Sequence, residues 1–370
     1  MGDVRRGARV YPDPVTTHLP DPVASLAPSV PDGRAPLGVR RVYLANLVAQ
    51  MGIVVTGAIV RLTSSGLGCP TWPRCTGESI VPVDGQTQTW HKYVEFGNRT
   101  LTGVLIALAV AALVAARWDA GRRRGPELPA RRVVAWLARV PRLGTVVSRW
   151  DARSRGDVAL PARPALTWLA AVPILGTVAQ IPLGGITVLT GLNPIAVGSH
   201  LLLSLSIVAL VTVLVRRAGE PGDEPVVVVV RPEIRAGVVV LTALMSCVLV
   251  AGMLVTASGP HAGDASTHRL GLDVQTMAWL HADIVVLSIG LLAGLLVALR
   301  ATGAPERPTR AATHLLGAFL AQGFVGYLQF FTGEPWAVVA VHVTFATIVW
   351  WAAVRLLLAT RTRGVEPALV

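Results

Sequence analysis

Long apolar segments alternate with polar stretches along most of the chain. Each segment is about 20 residues long, which is the length of helix needed to cross a hydrocarbon layer of about 30 Å. The pattern therefore predicts an all-α, polytopic membrane protein with eight transmembrane helices. We place the spans near residues 42–60, 94–116, 166–188, 196–215, 236–257, 274–299, 311–331 and 336–358.

A 22-residue pattern occurs twice, each time beginning inside an apolar span. It has the form Ala-Gln-x3-Gly-x5-Thr-Gly-x8-His, first from Ala179 to His200 and again, 142 residues later, from Ala321 to His342. Internal repeats in membrane proteins commonly build two like halves around a pseudo-twofold axis. We therefore expect two pseudo-symmetric four-helix bundles, each with an inward-pointing imidazole.

Positive charge is distributed as a membrane topology requires. The chain has 33 Lys and Arg against 21 Asp and Glu, but only 15% of its residues are charged and 52% are hydrophobic. The cations concentrate in alternate loops, so the positive-inside rule places those loops and both termini in the cytoplasm. The net charge of +12 therefore reflects the topology of a multi-pass membrane protein and does not indicate nucleic-acid binding.

The polar stretches divide the chain into four parts. We expect a proline-rich, disordered cytoplasmic tail, an N-terminal four-helix half, a C-terminal four-helix half and a short cytoplasmic tail. These parts are residues 1–38, 39–216, 217–360 and 361–370. A basic cytoplasmic loop, 117–165, lies within the N-terminal half. Its residues 129–141 mix Arg with Val, Trp and Leu, which fits either an interfacial amphipathic helix or a solvated segment.

Three histidines lie within apolar spans near the same predicted depth: His200, His281 and His342. Ionisable groups inside spans are costly and usually functional. Neutral imidazole is the commonest metal ligand and suits iron, and two imidazoles on facing helices can hold a haem from both sides. We predict that His281 and His342 are metal ligands of a bound haem. The alternative is a pair of interhelical hydrogen bonds.

The two halves differ chemically. Span order aligns Asn98 of the first half with His281 of the second, so the first half offers only His200 as an imidazole. Glu95 lies three residues before Asn98 and shares its helix face. A pocket with one imidazole and one carboxylate suits a molecule that enters, reacts and leaves. We therefore assign the substrate to the first half and the cofactor to the second.

Two arginines near the outer ends of spans, Arg61 and Arg99, are the candidate partners for haem propionates, because a guanidinium pairs bidentately with carboxylates. The alternative for Arg61 is an interfacial side chain that reaches to water. The other histidines of the loops and span ends have weaker claims: His91, His261, His268 and His314.

Two of the three cysteines, Cys69 and Cys75, lie in the outer loop after the first span. On the oxidising side of a membrane a disulfide is the default for such a pair. It would either staple the loop or act as a redox-active pair. Zinc is disfavoured because no local histidine completes a set of four ligands, and c-type haem attachment is excluded because no Cys-x-x-Cys-His occurs. Cys247 fits a small packing residue.

These residues together resemble the haem A synthase family. The resemblance is carried by GAIVRLTSSGLGCPTWPRC at 57–75, VEFGNR at 94–99 and the span-end histidines, and it covers most of residues 42–358. It implies an eight-span, pseudo-twofold bundle. The family is an oxidoreductase of haem biosynthesis that converts the C8 methyl of haem O to a formyl group by successive hydroxylations. It supplies haem A to cytochrome c oxidase and other terminal oxidases.

The resemblance implies roles for individual residues. His281 and His342 would be the axial ligands of haem b, His200 the ligand of the substrate haem O, Glu95 the catalytic carboxylate, and Cys69 and Cys75 a disulfide. Many family members have histidine where this chain has Asn98, so bis-histidine binding of haem O is not implied. Expected partners are haem O synthase (protohaem farnesyltransferase), oxidase assembly factors and membrane lipid; the sequence leaves homo-oligomerisation open.

Two functions from other classes use some of the same features. A non-enzymatic b-type electron carrier or quinol-linked subunit would need the histidines, but it gives no reason for Glu95, the cysteine pair or the unequal halves. A transporter would explain the internal repeat. We predict a haem A synthase.

Overall fold

The computed structural model describes residues 33–86, 89–123, 160 and 162–363. Eight helices in this part of the chain are long and apolar enough to cross a membrane, which confirms the expected all-α class and number of spans. The helices are α1 Leu37–Leu62, α2 His91–Arg123, α3 Pro164–Leu189, α4 Pro194–Ala218, α5 Pro232–Ser258, α6 Val274–Ala301, α7 Glu306–Phe331 and α8 Trp336–Ala359.

Each half of the repeat packs in the same cyclic order. In the first half (α1–α4), α1 contacts α2, α2 contacts α3, α3 contacts α4, and α4 returns to α1. The second half (α5–α8) repeats these contacts helix by helix. The halves meet where α8 packs on α1 and α4, and where α4 packs on α5. The Trp350 indole crosses this junction and donates to the Leu205 carbonyl at 2.9 Å.

The apolar core is continuous across the junction. It includes Leu205 and Val208 of α4, Leu241 of α5, Leu292 of α6 and Leu356 of α8, all buried. A smaller cluster fills the first half where α1 begins and α4 ends. We call this end, where the chain also leaves α8, the terminal side, and the opposite end the loop side.

The helices extend past the predicted spans because polar residues at the ends of a helix do not register in an apolar run. Helix α1 begins at Leu37, within the predicted tail, and the preceding residues are ordered, with Ala35 N donating to Ala218 O at 3.0 Å. Helix α2 continues to Arg123, inside the predicted basic loop. The predicted tail up to residue 32 and the predicted helix at 129–141 lie outside the described residues.

A two-stranded antiparallel ladder on the terminal side was not predicted. Strand β1, Val226–Val228, precedes α5, and strand β2, Arg361–Arg363, follows α8 directly. The valine run at 226–230 has the β-branched composition that favours a strand. The ladder pairs the first three residues of the predicted C-terminal tail with the connection between the halves.

Candidate functional site

A cavity of about 390 Å³ opens in the first half towards the loop side. Its volume lies in the range of about 300–1,000 Å³ found for small-molecule sites. The sequence-predicted residues Arg61, Glu95, Asn98, Arg99 and His200 all line it. All four first-half helices line the cavity, and α1, α2 and α4 bring together predicted residues that are up to 139 positions apart in the chain, from Arg61 to His200. The loop that contains Cys69 and Cys75, called the cysteine loop below, also contributes to the cavity wall.

The second half completes one wall of this cavity. Ala262 and Gly263, from the loop between α5 and α6, are among the lining residues. Gly66 N donates to Gly263 O at 3.0 Å, and the Arg61 guanidinium donates to the Thr256 carbonyl. The predicted substrate site is therefore built by both halves, although all its predicted chemistry comes from the first.

The repeated pattern positions its histidine in a specific way. In the first copy, Gln180 Nε2 donates to His200 O at 3.0 Å and to Ser204 Oγ at 2.6 Å. A Cβ atom at Gly184 would lie 3.4 Å from His200 Cε1, so the glycine leaves room for the ring. Within the described residues, His200 Nδ1 is buried without a hydrogen-bond partner.

The second copy repeats these contacts. Gln322 Nε2 donates to His342 O at 3.0 Å, and a Cβ atom at Gly326 would lie 3.2 Å from His342 Cε1. His342 Nδ1 is likewise buried without a partner among the described residues. Gly333, like Gly191 in the first copy, has positive φ at the turn that follows its helix. The glutamine and the first glycine of each copy therefore support the histidine. The imidazole Nδ1 makes no hydrogen bond to the described residues, so the ring is available to a ligand.

His281 and His342 face each other in the second half. Their ring centroids are 6.5 Å apart and their planes are inclined by 62°. His281 Nδ1 lies 3.1 Å from Val248 O, so the ring donates from Nδ1 and keeps the Nε2 lone pair free. Gly252 lets the ring approach α5, since a Cβ atom there would lie 3.1 Å from His281 Cε1.

This pair fits a haem iron. First-row metals bind imidazole nitrogen at about 2 Å, so two imidazoles on opposite sides of one ion place their ring centroids about 6 Å apart. The observed 6.5 Å is close to that value. No group of three or more His, Cys, Asp or Glu among the described residues would hold a bare metal ion. Two imidazoles, His281 and His342, therefore suit a metal whose other ligands come from a cofactor such as haem.

Asn98 is held by the first helix. Thr56 Oγ1 donates to Asn98 Oδ1 at 2.8 Å, which fixes the orientation of the amide. Sequence reasoning identified Asn98 but missed Thr56. The site opposite His200 therefore presents an amide, where the second half presents the imidazole of His281.

Glu95 and Arg99 clamp the cysteine loop onto α2. Glu95 is 5% exposed, and its Oε2 accepts from Cys69 N at 2.7 Å. Its Oε1 accepts from Arg99 Nη2 at 2.5 Å and from Arg99 Nε at 3.0 Å. Arg99 also donates to the carbonyls of Cys69 at 2.7 Å and Thr71 at 3.0 Å. These contacts give both residues a positioning function in the loop, whether or not they also contact a substrate.

The same loop contains a disulfide between Cys69 and Cys75. Trp72, between them, packs against α3 at Gly185, where a Cβ atom would lie 2.6 Å from the indole. Trp72 and Pro73 line the cavity, and sequence reasoning did not single them out. The loop therefore forms part of the cavity wall, and its disulfide lies next to the predicted reaction site.

We expect that replacing both Cys69 and Cys75 with alanine loosens the loop but leaves the bundle folded. A disulfide closing so short a loop contributes about 2 kcal/mol, and the Glu95 and Arg99 contacts remain. Trypsin cleavage after the exposed Arg74 should become much faster, while the melting temperature of the bundle changes little. Equal cleavage rates with and without the disulfide would show that it does not staple the loop.

The other predicted candidates lie apart from the cavity or make structural contacts. His91 Nδ1 is 3.1 Å from Ser65 Oγ, and His261 Nε2 is 2.8 Å from Glu334 O. Arg269 donates to Pro260 O at 2.5 Å, within the same loop as His268. His314 is exposed near the start of α7.

Known protein families account for most of the chain. The profile of the COX15-CtaA family, described as "Cytochrome oxidase assembly protein", matches residues 40–354. The chain belongs to the COX15-CtaA family. The family assignment confirms the resemblance drawn from the first outer loop, the second span and the span-end histidines.

Among curated relatives of this COX15-CtaA member are two proteins named Heme A synthase. The protein from Geobacillus thermodenitrificans is 36% identical over 83 residues, which are 22% of this chain and 25% of the relative. The protein from Geobacillus kaustophilus (strain HTA426) is 39% identical over 82 residues, 22% of this chain and 24% of the relative. The aligned stretches thus span about a quarter of the length of these relatives.

Proposed function

We propose that this multi-pass membrane protein is a haem A synthase that oxidises the C8 methyl of haem O to a formyl group. The observation that carries the proposal is the chemical difference between the two positions that the internal repeat makes equivalent. The second half presents two facing imidazoles, His281 and His342, 6.5 Å apart between ring centroids. The first half presents a cavity with His200 alone, beside Glu95 and Asn98.

In this proposal the second-half pair holds haem b permanently, which would supply one-electron relay chemistry when bound. His200 orients haem O in the first-half cavity through a single axial contact. Because Asn98 is a weaker metal ligand than histidine, haem O would be held firmly from one side only, and product release would require the loss of one imidazole ligand. Arg61, at the cavity wall, would receive a propionate, while Arg99 is already committed to the loop.

Glu95 would act near the reacting methyl. A buried carboxylate stabilises positive charge that develops on a carbon during oxidation, or it accepts a proton from attacking water. Its Oε2 accepts a hydrogen bond from Cys69 N, and its Oε1 accepts from Arg99. These contacts hold the carboxylate at a defined place in the cavity wall. Proton acceptance would require one of these contacts to open.

Haem extraction after co-expression with haem O synthase tests the proposal. We expect purified protein to yield haem b, and cells to accumulate haem A only when this chain is present. Haem b alone, with no haem A, would favour an electron carrier, and a colourless preparation would favour a transporter. An inactive partner enzyme is excluded by detecting haem O in cells that lack this chain.

The orientation follows from the charge pattern. We propose that the terminal side faces the cytoplasm of a bacterial cell and that the cysteine loop faces outward. Electrons would leave towards an external acceptor, and oxidase assembly factors would receive the product.

A further inference from the structure

Helix α1 buries a row of polar side chains between the terminal side and the first-half cavity. Tyr43, Asn46 and Gln50 follow one another at helical spacing on one face, and they are exposed by 0%, 0% and 3%. Gln50 Nε2 approaches Thr177 Oγ1 of α3 at 3.5 Å, and Thr177 is also buried. We call these four residues the polar column.

The second half has an apolar row in the same place. Helices α1 and α5 align with a constant offset of 195 residues, which superimposes Gly57 on Gly252 and Arg40 on Arg235. The repeat itself aligns α3 with α7. The counterparts of the polar column are then Val238, Leu241, Met245 and Phe319, all buried in the apolar core. Packing of this fold therefore does not require polar residues at these positions.

Two residues of the column are buried without protein partners. Among the described residues, neither the Tyr43 hydroxyl nor either side-chain atom of Asn46 makes a hydrogen bond. An unpaired buried polar group is destabilising, and native proteins commonly avoid that cost with ordered water. Three unpaired atoms on adjacent turns of one helix indicate a place for water rather than isolated packing defects.

The column runs from a buried charged cluster on the terminal side to the cavity. Gln50 and Thr177 both line the cavity. Tyr43 lies seven residues earlier, about 10 Å along the helix axis. Tyr43 belongs to the smaller apolar cluster with Ala116 of α2 and Leu166 of α3, each three residues from a buried charged residue, Asp119 and Arg163 respectively. The 2.9 Å ion pair between Asp119 and Arg123 belongs to the charged cluster.

We propose that Tyr43, Asn46, Gln50 and Thr177 hold a chain of water molecules that carries protons between the terminal side and the first-half cavity. The inference rests on the proposed function, because it supplies what that reaction needs. Hydroxylation of a methyl group releases protons when water is the source of oxygen and consumes them when dioxygen is the source. In both cases the cavity must exchange protons with an aqueous phase, whereas a site that only relays electrons has no such need.

Hydroxyl-radical footprinting of the purified, unreacted protein tests the water chain without any turnover. Radicals generated from bound water label adjacent aromatic rings. We expect Tyr43 to be labelled despite its full burial, and Phe319, an equally buried aromatic ring in the second half, to remain unlabelled. An unlabelled Tyr43 would overturn the proposal, whatever reaction the protein catalyses.

Substitutions that copy the second half test the proton function. Asn46→Leu and Gln50→Met reproduce the residues found at Leu241 and Met245, so we expect folding and the haem b spectrum to be preserved. The rate of haem A formation should fall about tenfold or more with little change in KM, and the solvent deuterium isotope effect should rise. Asn46→Ser, which supplies a hydroxyl and leaves space for water, should retain most of the rate.

Ser288→Ala is the matched control, since Ser288 is a fully buried polar residue of α6 outside the column. It should turn over normally. Normal turnover and an unchanged isotope effect in the Asn46→Leu and Gln50→Met variants would overturn the proton path even if Tyr43 is labelled. If the unaltered protein makes no haem A, the proposed function fails, and footprinting alone then decides whether the column is hydrated.

Discussion

Replacing His342 with alanine is expected to remove the low-spin haem spectrum from the purified protein, and His281→Ala should do the same. The two rings face each other at 6.5 Å, and each is the only imidazole that its helix contributes at that depth. Even outer-shell partners of a metal site cost about 10–100-fold in affinity when removed. Loss of a ligand should therefore leave little haem b per protein, as measured by absorbance and by pyridine haemochrome.

The matched control for these substitutions is His314→Ala, because His314 is exposed near the start of α7. It should retain the full spectrum. Free imidazole added to His342→Ala should restore part of it, since the cavity left by the ring is supported by Gly326 and Gln322. A normal low-spin spectrum in His281→Ala would rule out the bis-histidine site.

Replacing Glu95 with alanine is expected to abolish haem A formation while leaving the haem b spectrum unchanged. Loss of a positioned acid or base costs about 10²–10⁴-fold in rate, and this carboxylate also anchors the loop that walls the cavity. The second-half histidines are not among its contacts. Haem extraction and the absorbance spectrum of the same preparation measure both effects.

Glu95→Gln separates chemistry from positioning. The amide oxygen still accepts from Cys69 N but cannot balance the charge of Arg99. We expect the loop to stay protected from trypsin after Arg74 and the rate to remain very low. Glu306→Ala is the control, because Glu306 forms the same i,i+4 pair with Arg310 at an exposed position. Normal turnover in Glu95→Gln would show that Glu95 positions the loop and does not take part in the chemistry.

The spans and the candidate site were largely predictable because they depend on patterns that sequence displays directly. Apolar runs located all eight helices, and the spacing within the repeat identified His200 and His342 as equivalent. The repeat also includes Gln180 and Gln322, but their function was not evident from the sequence. Each donates to a histidine carbonyl on the next helix, and that contact exists only once α3 packs on α4 and α7 on α8.

The polar column and the cavity wall were not predicted, for different physical reasons. A single asparagine or glutamine barely changes the mean hydropathy of a span, so Asn46 and Gln50 do not stand out in the sequence of α1. Their difference from Leu241 and Met245 appears only when α1 is aligned with α5. The wall at Trp72, Ala262 and Gly263 depends on how two loops meet, and no local pattern encodes a contact between residues nearly 200 positions apart.

That meeting of loops limits how the two halves can be separated. Because Gly66 bonds to Gly263 and Arg61 to Thr256, the first bundle expressed as an isolated fragment would leave its chamber open on one flank. Gene duplication can produce such an architecture, but later fission into independent subunits would have to rebuild that flank between polypeptides. The first bundle therefore depends on the second to close its cavity, and we do not expect the two to act as independent domains.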